Sequence, residues 1–484
     1  MQSRREILRM LGYGPVAMFA GSIIGGCNTQ LDPTGIPTYP QIDTPPILDG
    51  DPNKPWWVRG NYGPVEDEIE AFDLEVIGSI PPELNGCFLR NGPNPHADDP
   101  SFWFLGDGML HGVEFANGQA VSYTNRYIQT HSLMQQTPTL LSNFGNTSLV
   151  NHGGRILALY EQGVPFEIQV PSLETTGTFT YNDSLASAMT AHPKICPITG
   201  ELLFFGYGIA KPHLRFYTAS PSGEMIKSEE IDIPRGVMMH DFQITENYVI
   251  FFDLPLVFEL VQGTPFPMTF KSEFGSRIGV MPRNGTNADV QWFDVDSCYL
   301  FHTYNAYEMG DEVVVEASRF DSFWDGGFSP VMPAGIPWRW KLNRETGGVT
   351  EGRFGDILMD FPCIDQRTQG QDYDMIYALH QVPASDDYPL HPDGILKYDR
   401  RTDTVDLWST GHAAQPDEAL FVPSPQGTSE DEGWLISMVY DRAENRSEVV
   451  ILDAQNVAGG PLARVIMPRR VPFGFHGLWV PTEV

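Results

Sequence analysis

Cysteine is scarce in this chain, with five in 484 residues. None forms a CxxC or other close pair, which argues against a cysteine-built zinc site. For Cys87, Cys196, Cys298 and Cys363 an oxidising compartment would permit disulfides that sequence does not pair, and isolated buried thiols are the favoured reading. Positive charge is also scarce: 30 Lys and Arg stand against 62 Asp and Glu, a formal net charge of −32. Such acidity repels phosphates and argues against a nucleic-acid partner. No two histidines follow HxH or HxxxH spacing, and no motif recurs at the fixed period of a WD40 or kelch array. Neither a catalytic triad nor a pair of catalytic carboxylates is evident.

What the chain has is punctuation. Its 47 Gly and 40 Pro are spread along the whole length, as expected of many strands joined by turns. With 41% hydrophobic and 19% charged residues it can build a large core. The stretches 199–208, 214–233, 338–354, 395–410 and 434–454 each read strand, polar turn, strand. Hairpins repeated over some 400 residues fit a β-propeller better than a sandwich, which needs fewer strands. Segments 131–150, 256–278 and 322–337 break the pattern with Pro, Phe and Met and read as loops or short helices on one face.

The first thirty residues differ from the rest. Ser3-Arg4-Arg5-Glu6-Ile7-Leu8 resembles a twin-arginine export signal, and Ile24-Gly25-Gly26-Cys27 resembles a bacterial lipobox. The apolar stretch between them is too short and Gly-rich to span a bilayer well. The expectation is a signal peptide over 1–26, lipidation of Cys27, a Pro- and Thr-rich tether over 27–55, and a propeller domain over 56–484. The mature protein would then be a membrane-anchored lipoprotein of the bacterial periplasm.

Twelve histidines remain to be explained. His96, His131, His152, His213, His380, His391 and His412 lie near Pro, Gly or polar runs and read as loop residues; His111 follows a GDG turn and is harder to place. Four others sit in apolar settings: His192 in MTAHPKI, His240 in MMHDF, His302 in YLFHTYNAYE and His476 in PFGFHGLW. Residues 237–255 read as two strands about a turn at 245–247. An imidazole in so apolar a stretch must place both ring nitrogens, in hydrogen bonds or on a metal. Taken singly, each of the four is more readily a satisfied core histidine than a ligand.

Their contexts, in this order, resemble the carotenoid cleavage oxygenase family, which includes apocarotenoid and lignostilbene oxygenases. The resemblance extends through GSIPPELNGCFLRNGPNP (78–95), GDGMLHGVEF (106–115), NTSLVNHGGRILALYEQGVPFEI (146–168) and DEALFVPSP (417–425). It implies a seven-bladed propeller with a loop and helix dome carrying a substrate tunnel. It also implies one Fe(II) held by His192, His240, His302 and His476, with O2 as co-substrate and oxidative cleavage of a C=C bond. Four neutral nitrogen ligands suit Fe(II) and leave positions open. In the family, three glutamates orient ligand histidines. By motif these fall on Glu161 for His240 and Glu418 for His476, while the third position holds Asp360, one methylene shorter, for His302. Direct contact there requires a closer backbone; otherwise a water bridges the gap. Asp241 faces away from the site if its strand is regular.

The implied substrate is an apolar conjugated molecule that enters along aromatics, for which Phe323, Trp324, Phe328, Trp338 and Trp340 are candidates. The lysine and tyrosine with which stilbene-cleaving members hold a phenol find no match in NRYIQTHSLMQQTPTLL, which lacks lysine. That favours a carotenoid or apocarotenoid over a lignostilbene. Two rivals from other classes stay open: a non-catalytic periplasmic binding propeller, and a hydrolytic propeller using Ca²⁺ or Zn²⁺. Membrane contact would come from the lipid anchor and from the tunnel mouth.

The N-terminal reading generates a prediction. Cys27→Ser releases the mature protein from membranes without loss of its metal, and replacing Arg4 and Arg5 by Lys leaves folded, metal-bearing protein in the cytoplasm. Fractionation with metal analysis checks both; full export of the Lys variant overturns the twin-arginine reading.

Overall fold

The computed structural model describes residue 39 and residues 50–96, 102–135, 142–259, 266–383 and 392–482. Cys27, the region 1–26 and His391 lie outside the described residues.

Seven antiparallel sheets follow one another as the blades of a propeller, six of them in chain order. Their innermost strands are Ser148–His152 (blade 1), Lys194–Ile195 (2), Gln243–Ile244 (3), Tyr299–Met309 (4), Met359–Cys363 (5), Ala414–Pro423 (6) and Gly477–Pro481 (7). From each of the first six the chain zigzags outward through three more strands.

Blade 7 closes the ring with both ends of the domain. Its inner strand is the C-terminal Gly477–Pro481, paired in register with Gly86–Pro93, so that Arg90 lies opposite Gly477 and Gly86 opposite Pro481. At the rim of blade 6 the N-terminal strand Val76–Gly78 pairs with Pro461–Ile466. Closure through strand pairing ties the last blade to the first and leaves only short sheet edges.

Local chemistry explains the hairpins. In the turn after Ile336–Asn343, the Asn343 Oδ1 accepts from the backbone N–H groups of Glu345 and Thr346, and Gly347 takes φ 72°. Asp399 accepts in the same way from Arg401 and Thr402. The hairpins expected in 214–233, 338–354, 395–410 and 434–454 are present, whereas 199–208 holds a single strand, Leu202–Tyr207. Aromatic contacts fill the space between sheets, such as Tyr377 stacked on Phe421 of the next blade at 5.1 Å.

Several expectations need correction. The stretch 238–242 is not strand: only Gln243–Ile244 and Tyr248–Asp253 pair, and His240 lies on extended chain just before the inner edge of blade 3. The segment 256–278 is not simply loop, since Leu256–Phe258 and Met268–Phe270 form a small hairpin and Ser276 starts a blade strand. His152 ends a strand and bonds the Gly200 carbonyl, and His380 sits in Met375–Gln381 bonded to Asp393. Neither is a loop residue. The only α-helix among the described residues is the five-residue His131–Gln135. Within the expected tether, Tyr39 is buried, its ring against Trp408 and beneath the Arg464 guanidinium. The four cysteines are free thiols, three of them buried.

Phe115, fully buried in blade 7, packs on Trp479 of the closing strand with ring centres 6.1 Å apart. Phe115→Ala is expected to lower stability by about 3–5 kcal/mol, measured by urea unfolding. Replacement of the exposed Ile226 by Ala should have little effect.

Candidate metal centre

The inner strands converge on one point, and nearly every blade delivers one chemically important residue there. His192 precedes the inner strand of blade 2, His240 that of blade 3 and His476 that of blade 7, while His302 lies within that of blade 4. Blades 5 and 6 present Asp360 and Glu418 on their inner strands. Glu161 follows Arg155–Leu159 of blade 1.

The four histidines are brought together. One ring nitrogen from each lies within 4.8 Å of the others. The Nε2 atoms of His192 and His240 are 2.9 Å apart. A single ion with metal–nitrogen bonds of about 2.1 Å spans about 4.2 Å between opposite ligands, so small adjustments close the set. Three of the rings are braced from behind: His240 Nδ1 to Glu161 Oε2 at 3.1 Å, His302 Nδ1 to Asp360 Oδ1 at 2.8 Å, and His476 Nδ1 to Glu418 Oε1 at 2.8 Å. A carboxylate on Nδ1–H leaves the Nε2 lone pair directed at the centre. The Nε2 of His302 is buried and has no hydrogen-bond partner, as expected of a metal ligand without its metal.

Asp360 reaches His302 directly despite its shorter side chain. The strand pairing slips between Asp360 and Cys363, and Phe361 takes φ 52°, a left-handed conformation uncommon for a bulky residue. That irregularity carries the Asp360 backbone close enough for direct contact.

Burial pushes the pKa of His192 well below 6.5, helped by the other three imidazoles. It lowers His476 to about 4, even against Glu418. Burial also pulls on His302, but Asp360 outweighs it and the net shift is upward. Desolvation opposes ionisation of Glu418, yet His476, Arg90 and the Gly477 N–H together hold its pKa below the usual value. Neutral imidazoles are the form that binds metal.

Two buried acids outside the ligand set lock the surrounding chain. Asp241 turns away from the centre: Oδ1 takes the Lys194 ammonium at 2.8 Å, and Oδ2 accepts from the Thr303 N–H at 2.9 Å and its hydroxyl at 2.6 Å. Lys194, Asp241 and Thr303 directly follow, or nearly follow, three of the histidines, so one carboxylate ties three ligand-bearing segments. On the other side, Asp417 pairs with Arg90 and accepts from the Gly474 N–H at 3.0 Å. Gly474 packs on Gly92 so closely that a Cβ on Gly92 would come within 2.6 Å of it, which lets the Phe475–His476 segment approach Asn91 and bond it from both sides.

In front of the imidazoles lies a largely apolar cavity. His240, His302 and His476 form one wall; Trp103, Phe104, Phe266, Phe301 and Phe475 form much of the rest. None of the five aromatics expected from the sequence lines it. Phe323 and Trp324 stand one layer behind, against Phe301 and Phe266, and Phe328 packs on Phe102. Trp338 and Trp340 donate their indole N–H groups to Glu351 inside blade 4. Phe301 and Phe475 each precede a clustered histidine, a neighbourhood signal that could have identified them. His111 is buried at hydrogen-bond distance from Tyr123, apart from this centre.

The chain matches the family model described as retinal pigment epithelial membrane protein over residues 62–481. It is 32% identical to a carotenoid 9,10(9',10')-cleavage dioxygenase of Crocus sativus, covering 90% of each chain. It is also 32% identical to an isoeugenol monooxygenase of Pseudomonas nitroreducens, over 87% of this chain and 97% of that one. The crystal structure of a lignostilbene dioxygenase from Pseudomonas brassicacearum superposes with a TM-score of 0.81 at 29% identity, covering 92% of this chain and all of the other. A match across all seven blades, around four clustered histidines, makes this chain a member of the carotenoid cleavage oxygenase family.

Proposed function

We propose that this protein is a non-haem Fe(II) dioxygenase that cleaves a C=C bond of a carotenoid or apocarotenoid with O2, giving two carbonyl products. The observation that carries the reading is the cluster of four imidazoles, three braced on buried carboxylates, facing an aromatic cavity. His192, His240, His302 and His476 would hold the iron, and Glu161, Asp360 and Glu418 would fix their orientation. When bound, iron supplies the redox chemistry that joins O2 to a double bond. The protein's own part is to orient the imidazoles, exclude water with Trp103, Phe104, Phe301 and Phe475, and hold one bond of the conjugated chain beside the centre. Acid–base catalysis has no evident agent here, because the nearby carboxylates are already engaged by histidine N–H groups. A stilbenoid or other phenylpropenoid is the second reading, favoured by the isoeugenol monooxygenase and lignostilbene dioxygenase relatives. The twin-arginine and lipobox motifs support a periplasmic lipoprotein anchored through Cys27, with residues 27–55 linking anchor to propeller.

Each of the four histidines changed to Ala should greatly reduce bound iron, from one per chain, and abolish cleavage. Anaerobic metal analysis, with mass spectrometry of products from a carotenoid, apocarotenoid and stilbene panel, checks this. Normal iron and turnover in any one variant removes that residue from the site.

Asp360→Asn is expected to weaken iron binding or activity by about 10–100-fold, whereas Asp360→Glu is tolerated. Wild-type behaviour of the Asn variant would show that the His302 contact is not used.

Asp241→Asn leaves the Lys194 ammonium without its buried partner. A loss of about 3–5 kcal/mol in stability is expected, together with weaker iron binding. The double variant Asp241→Asn, Lys194→Met should recover much of the stability but not the affinity. Full recovery of affinity would assign Asp241 to folding alone.

A further inference from the structure

The polar groups lining the cavity fall into two sets. Most are already engaged: Glu161 and Asp360 accept from histidines, Gln381 Oε1 accepts from the Gly335 N–H at 2.7 Å, and the Thr147 hydroxyl donates to Asn146 at 3.0 Å. Two are not. The indole N–H of Trp103 and the Nε2 of Gln162 are buried, line this same cavity and complete no hydrogen bond. Trp103 is 3% exposed. The Tyr207 hydroxyl, by contrast, donates to the Glu161 carboxylate.

Both groups, an indole N–H and an amide nitrogen, can only donate. Buried donors in native proteins are almost always satisfied, and an exception in a ligand cavity marks where a ligand atom belongs. The sole other orphan lining this cavity is the His302 Nε2, which already has an assigned role. A purely hydrocarbon polyene would strip water from these donors and return nothing. An ionised acid would meet the buried carboxylates of Glu161 and Asp360 and be repelled. We infer that Trp103 and Gln162 form a donor subsite for a neutral oxygen, so that the substrate is a conjugated chain bearing a carbonyl or hydroxyl group, not a hydrocarbon. This rests on the cleavage reading above and narrows it. An aldehyde or ketone of a shortened polyene and a phenol of a stilbene share that chemistry.

Matched pairs separate the possibilities. Iron-loaded protein is titrated without O2, where ligand binds but is not cut, with an apocarotenal and a hydrocarbon carotene, and with 4-hydroxystilbene and stilbene. Quenching of tryptophan fluorescence gives each Kd, and O2 is then admitted and products are weighed. The oxygen-bearing member of at least one pair should bind about tenfold more tightly, the effect of one or two net hydrogen bonds. Preference confined to the apocarotenal pair assigns a polyene carbonyl; preference confined to the stilbene pair assigns a phenol. In Gln162→Leu and in Trp103→Phe, each shown by circular dichroism and iron content to be folded, the ratio within the preferred pair should fall toward one. The Gln162 variant suffices if the Trp103 variant does not fold. Equal binding within both pairs, with hydrocarbons cut as readily, overturns the subsite and leaves the cleavage reading standing. Failure to bind or cut any of the four overturns both.

Discussion

Four lone pairs aimed at one point are the constraint on which the rest of this structure depends. Imidazoles so arranged have nothing to offer one another, so each ring must be held from behind. Glu161, Asp360 and Glu418 do this by accepting the Nδ1–H of His240, His302 and His476. Every brace crosses between blades: Asp360 of blade 5 holds a ring from blade 4, and Glu418 of blade 6 holds one from blade 7. The centre therefore exists only when the ring is closed. The C-terminal strand that closes it also delivers His476, and the Arg90 opposite Gly477 contacts both Asp417 and Glu418.

Regular strands would not achieve this convergence. Pairing slips between Leu300 and Thr303, between Asp360 and Cys363, and between Pro416 and Ala419. Those slips bracket or adjoin His302, Asp360 and Glu418. A bulge turns a side chain that would stand off a sheet face toward the strand end. The left-handed Phe361 belongs to the same device, and its ring lies 4.9 Å from that of His302. Unfavourable backbone persists where surrounding contacts over-determine it, and such positions cluster at functional sites.

This also explains what was legible in the sequence. Hairpins such as 214–233 declare themselves through alternating burial and Asx or Gly turns, because those signals are local. The four histidines and three acids were legible through the text around them, not through spacing, because each comes from a separate element. The segment around His240 misled: Met238, Met239 and Phe242 look like strand, but they are buried outside any strand, with Met238 tied to the Leu256 carbonyl by one backbone bond. Asp241 points away from the centre as expected, yet its grip on Lys194 and Thr303 is a contact between blades that no local pattern encodes. The cavity lining was opaque for a similar reason. Among 29 Phe, 18 Tyr and 10 Trp, composition cannot tell a wall from the layer behind it.

Charge gives an independent argument for a cation at this centre. The chain carries few bases, and they stand beside most of its buried acids. Arg464 pairs with Glu448, Arg400 and Arg339 with Glu316, Lys194 with Asp241, Arg277 with Asp253, and Arg90 with Asp417 and Glu418. Asp107 and Asp441 accept from backbone N–H groups. Glu161 and Asp360 stand apart: their ring partners are the imidazoles of His240 and His302, and Glu161 takes the Tyr207 hydroxyl as well. A carboxylate in such a setting, with neutral partners and no base, is poorly compensated. A divalent ion held by His192, His240, His302 and His476 would balance these two charges. Neutral ligands next to the ion and anions one bond further out would keep the loaded centre close to electroneutral.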